Sequence, residues 1–113
     1  ADLVFEGAPG VPARLDRAPL KRFAKVFAAC RYAPSSYNSQ TTRAVVRVKD
    51  KSLIQVSFCA EEGSRYYAPL AEGIWCADWA RGVEALGVPG RWLALSEPRA
   101  IGGGLVEDIV WTP

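Results

Sequence analysis

The stretch from Tyr67 to Leu86 constrains the fold more than any other. Leu70, Ile74, Trp75, Cys76, Ala77, Trp79, Ala80, Val83, Ala85 and Leu86 recur through it at helical spacing and leave only a narrow charged stripe of Asp78, Arg81 and Glu84. A helix that is apolar round most of its circumference must be buried on most sides. Gly87 supplies a left-handed cap and Pro89 prevents continuation, so the predicted helix closes at Leu86. A chain of 113 residues with two helices and four strands has little mass of its own to cover it. The expectation is a protein partner or a second copy against this helix, through Trp75 and Trp79 and along the small residues Gly73, Ala77 and Ala80.

The remaining elements follow from periodicity. Residues 1–18 hold Gly7, Pro9, Gly10 and Pro12 with no sustained period, and read as an extended N-terminal arm ahead of a domain over 19–113. From Pro19, a favoured first helical residue, Leu20, Phe23, Phe27 and Cys30 recur at spacings of three and four, with Lys21, Arg22, Lys25 and Arg31 on the other, solvated side. Arg43 to Lys49 alternates, with Ala44, Val46 and Val48 on one face; Leu53 to Cys59 places Ile54, Val56 and Phe58 together, and Asp50-Lys51-Ser52 joins the two strands. Trp92 to Leu95 and Leu105 to Trp111 read as two more strands around a Gly102-Gly103-Gly104 hairpin loop. That glycine run is not a phosphate loop, because no Lys-Ser or Lys-Thr follows and the next segment is strand-like. The predicted fold class is α+β, two long helices packed on an antiparallel sheet of about four strands.

Charge and composition exclude several functions. Fourteen basic against twelve acidic residues is too balanced for a nucleic-acid or anionic-membrane partner. No segment approaches the ~20 consecutive apolar residues of a membrane helix, so a soluble chain is expected. There is no methionine, and Ala1 is compatible with processing from a precursor, with simple initiator removal or with a partial chain. Cys30, Cys59 and Cys76 are widely and irregularly spaced, each in an apolar context, and read as small buried hydrophobes. With no histidine, neither a zinc ligand set nor a Ser-His or Cys-His pair can be assembled, so no catalytic side chain and no metal ligand is assigned. Any chemistry would have to be a cofactor's.

Between the first helix and the first long strand lies Ala33-Pro34-Ser35-Ser36-Tyr37-Asn38-Ser39-Gln40. Pro34 ends the helix, and the loop that follows concentrates amides and hydroxyls able to meet a mixed donor and acceptor edge. The run Ala-Pro-Ser-Ser-x-Asn-x-Gln resembles the FMN-contacting segment of the nitroreductase family, and the order of elements over roughly 15–113 is similar to the C-terminal half of a short branch of it. The resemblance implies FMN held by Ser35, Ser36, Asn38 and Gln40, reduction by NAD(P)H, and a central helix at a dimer interface. It also places the polar loop at 61–65 near the cofactor, although Arg65 alone reads as a solvated arginine. The family's Gln-Pro-Trp is Gln40-Thr41-Thr42 here, its acid ahead of the helix glycine is Ala71, and its Arg-Arg-Ser phosphate segment has no counterpart.

Two functions follow. A buried phosphate needs Arg, Lys or several backbone donors. The expected function is therefore a nitroreductase-like scaffold acting as a non-catalytic structural or accessory subunit of a larger assembly. The alternative is an FMN-dependent nitroreductase-type oxidoreductase whose phosphate site is completed by another segment or chain.

Overall fold

The computed structural model describes residues 3–31, 42–61 and 68–113. In chain order they form β1 (Val4–Glu6), a 3₁₀ turn at Lys21–Phe23 running into α1 (Ala24–Arg31), β2 (Thr42–Lys49), β3 (Ser52–Glu61), α2 (Ala68–Ala85), β4 (Arg91–Gly102) and β5 (Leu105–Thr112). The strands make one sheet in the order β1-β2-β3-β5-β4, with β1 parallel to β2 and every other pairing antiparallel. Two long helices on an antiparallel four-stranded sheet is therefore not the architecture: the sheet has five strands and is mixed, and it dominates the fold.

Both departures have local causes. The first helix loses its opening turn because Leu20 at its start caps no backbone N–H with a side chain, and the chain enters through a 3₁₀ turn. Eight α-helical residues remain, about 12 Å of helix. The fifth strand comes from the lead-in, where Ala44 donates its N–H to the Leu3 carbonyl at 3.0 Å and Gly7 donates to Val46 at 2.8 Å. Three residues are too few to show a period. Leu3 and Val4 are buried in the main core, and residues 11–13 fold back along β1, with Glu6 donating to Val11 at 2.8 Å and Ala13 to Val4 at 3.1 Å. That edge of the sheet is covered.

The β2–β3 hairpin closes through Asp50 and Lys51, both left-handed at φ 51° and 62°, with Lys49 opposite Ser52. A two-residue turn of this hand matches the twist of the strands it joins. Two positions on, the register shifts and Ile54 is the extra residue. A bulge moves every later side chain to the opposite face. Ile54, expected inward, is consequently exposed, and Leu53 takes the core position.

Both helices pack on one face of the sheet. Leu20, Phe23, Phe27 and Cys30 are all buried there, together with Val46, Val56, Phe58 and Trp111. Trp75, Trp79 and Val83, at successive four-residue steps of α2, point into the same core and are 2%, 0% and 4% exposed. This corrects the expected partner contact: Trp75 and Trp79 are covered by the chain's own sheet and α1 and are not available to another polypeptide. Gly73 and Ala77 face outward. The helix ends in a Schellman motif, with Val88 donating to Val83 at 2.9 Å, Gly87 donating to Glu84 at 3.0 Å, and Gly87 at φ 73°.

α1 and α2 approach closely at Gly82, where an added Cβ would lie inside contact distance of both Val26 methyl groups. Val26 is itself buried and has one preferred rotamer in a helix, so the clash can be relieved only by moving a helix. Gly82→Ala is expected to destabilise by about 1–3 kcal/mol despite alanine's better helix propensity. Chemical denaturation checks this, and an unchanged or raised midpoint would mean that the helices shift at no cost.

Candidate functional site

The residues matched to the flavin segment, Ser35, Ser36, Asn38 and Gln40, lie outside the described residues, as does Arg65. The described elements that flank those two segments are the end of α1, the start of β2, the end of β3 and the start of α2. Thr42 is 1% exposed and its Oγ1 has no hydrogen-bond partner among the described residues. Glu72, 4% exposed, also buries one oxygen, Oε1, without a partner among the described residues.

Glu72 is brought to Asp108 by a second irregularity. Between Phe58–Ile109 and Cys59–Glu107 the β3–β5 register slips, leaving Asp108 as the extra residue. A bulge re-aims a side chain. Burial first, and then hydrogen bonding and repulsion from Asp108, push the Glu72 carboxyl up to about 9. Glu72 is thus a neutral acid at pH 7, hydrogen-bonded to Asp108. The sequence carried a signal for this acid: it stands three residues before Trp75 and seven before Trp79, on the buried face and off the charged stripe.

The thiols are not nucleophiles. Burial, followed by the field of Asp78, pushes Cys30 up to about 12, and its Sγ donates to the Trp75 carbonyl at 3.4 Å. Burial with Glu107, Glu72 and Asp108 does the same to Cys59, and burial with Glu72 and Cys30 to Cys76, each also to about 12. Only a thiolate attacks or binds metal. Among the described residues no group of acids and thiols could hold a metal ion.

The face of the sheet away from the helices carries a polar chain across three strands. Gln55 Nε2 donates to Ser57 Oγ at 3.0 Å, Ser57 Oγ donates to Glu107 Oε1 at 2.5 Å, and Arg99 Nε and Nη2 both donate to Glu107 Oε2, at 2.9 and 2.5 Å. Burial alone would raise the Glu107 carboxyl, but the Ser57 hydroxyl and the Arg99 guanidinium outweigh it and hold it below the usual range. With both oxygens occupied and its affinity for a proton lowered, Glu107 is a structural anion and a poor general base. Beside it Val45, Cys59 and Leu105 form a small second core with Phe5 and Ile101.

The sheet's other edge is unlike the β1 edge. β4 is solvent-exposed along nearly its whole length, and Trp92 and Leu93 are 42% and 60% exposed. Regular pairing with β5 runs from Arg91 to Ala94; residues 95–98 then bow out opposite Asp108 alone, and pairing resumes at Arg99. The bulge and Pro98 blunt the far half of the edge, leaving the four residues Arg91–Ala94, whose backbone groups point outward at alternate positions. Next to them a groove of about 380 Å³ opens between the end of α2 and β4, walled by Ala80, Val83, Glu84, Trp92 and Trp111. Gly90 lets the Trp111 indole lie against the backbone, where any Cβ would overlap the ring.

No protein-family model, characterised protein or solved structure matches this chain. No helix among the described residues is long and apolar enough to cross a membrane.

Proposed function

We propose that this chain is a non-catalytic accessory subunit on a nitroreductase-like scaffold, and that it docks its partner on the β4 edge. The observation that carries the reading is the exposure of Trp92 and Leu93 on the one sheet edge that the rest of the described chain leaves open. An extended partner segment of about four residues would add as a strand beside Arg91–Ala94 and place an apolar side chain in the groove next to Trp92. Thiols held protonated and a fully bonded Glu107 support a binding role over a chemical one. The nitroreductase part of the reading rests on the 33–40 motif alone.

Panning a library of displayed random peptides on the purified full chain tests the docking. Enriched peptides are expected to alternate apolar with polar residues, and Leu93→Asp is expected to weaken them about tenfold, as loss of an exposed anchor does. Leu93 is 60% exposed, so the substitution leaves folding intact. Enriched peptides indifferent to Leu93→Asp would remove the β4 edge from the reading. Stoichiometric flavin absorbance in the purified wild type would replace the accessory role with the FMN-dependent oxidoreductase.

A further inference from the structure

A second hollow, of about 580 Å³, lies where the turn before α1, the tip of the β2–β3 hairpin and the segment after α2 converge. Phe23, Leu53 and Val88 supply its apolar wall, and Lys21, Arg22 and Lys51 supply its charge. Its lining contains no acidic side chain, and among the described residues none of these three cations forms an ion pair. The Arg22 guanidinium stands over the Phe23 ring, 5.3 Å from its centre, which fixes that planar cation on the wall of the hollow. Lys51 is placed by strained backbone. It occupies the left-handed second position of the hairpin turn at φ 62°, where glycine is the residue of least cost. Strain of this kind persists where surrounding structure fixes it, and it collects at binding sites.

The geometry points to this hollow as a binding site for a phosphate monoester carrying a flat apolar body. Three cations drawn from two separate segments match a dianion better than a carboxylate, and Arg22 can meet two of its oxygens at once. The apolar body lies against the half-buried Pro19 and Val88, in a wall that the almost fully buried Phe23 and Leu53 hold in place. The volume falls within the range of small-ligand pockets, about 300–1,000 Å³. The assignment is independent of the β4 edge.

Titration with 1-naphthyl phosphate at low salt tests it. One saturable site is expected, with affinity falling as salt rises. Inorganic phosphate and 1-naphthol should each bind at least tenfold more weakly, because each keeps only half of the contacts. Lys51→Gly is the decisive variant: it relaxes the turn, so the thermal midpoint should hold or rise while binding weakens at least tenfold. Arg22→Gln should weaken binding similarly. Equal affinity for Lys51→Gly and wild type, or for inorganic phosphate and the naphthyl ester, would overturn the site. Displacement of the ester by phosphatidylcholine vesicles doped with phosphatidic acid would overturn its assignment to a soluble ligand in favour of a lipid headgroup.

Discussion

Raising the pH from 6 to 9 is expected to lower the thermal midpoint of the wild-type chain by on the order of 10 °C or more, and Glu72→Gln is expected to abolish most of that fall. Glu72 sits on the buried face of α2 beside Asp108, and its folded-state carboxyl is raised to about 9, against roughly 4.3 in an unfolded chain. Between those values the folded state holds one proton more than the unfolded state. Stability is therefore complete below the unfolded value and is lost as pH rises toward the folded one, by about 1.4 kcal/mol per unit. Glutamine carries no charge to desolvate, has nearly the same shape as the neutral acid, and can hydrogen-bond Asp108 in the acid's place. At pH 8 the variant should be the more stable protein, by several kcal/mol. Glu107 works in the opposite direction. Its carboxyl is lowered, so its contribution is present above the unfolded value and is lost as pH falls through the folded one. The chain should thus be most stable in mild acid, between the two windows. Thermal melts of both proteins at several pH values decide the matter, and a flat wild-type profile between pH 6 and 9 would show that Glu72 is not held neutral.

That acid also marks the limit of what the sequence discloses. Spacings of three and four placed Leu20, Phe23, Phe27 and Cys30 on one face, and all are buried. The Gly87 cap and the glycine turn after β4 were readable because a left-handed residue has few substitutes. Bulges have no such signature. Ile54 fits a perfect alternation and is displaced only because the ladder slips one residue at the hairpin, and Asp108 is turned toward Glu72 by a slip of the same kind. β1 escaped for its length, and the β4 edge because exposure follows from strand order, which periodicity does not encode. At the 33–40 motif the sequence speaks by resemblance, and its residues lie outside those described.

The apolar breadth of α2 has two explanations, an interface with another polypeptide or a hub inside this chain, and one substitution separates them. An apolar helix needs cover on many sides, and the sequence did not show that Phe23, Phe27, Phe58 and Trp111 would converge on Trp79, with ring centres 5.6, 4.7, 6.2 and 5.2 Å away. Trp79 is the hub that joins α1, α2 and two strands of the sheet. Trp79→Ala is expected to remove about 3–5 kcal/mol, since four rigid rings cannot collapse into the space it leaves. Against a total of about 5–15 kcal/mol for a domain, that leaves a chain partly unfolded at ambient temperature. Trp79→Phe should cost far less. It keeps an aromatic ring in the cluster and deletes the indole N–H, which is buried without a partner among the described residues and so carries an uncompensated desolvation cost of about 1–3 kcal/mol. Were Trp79 an interface residue, both variants would weaken association and leave the folded monomer untouched. Denaturant unfolding followed by near-UV dichroism, on dilute samples, tests the internal role directly. An alanine variant within about 1 kcal/mol of wild type would return the helix to the surface.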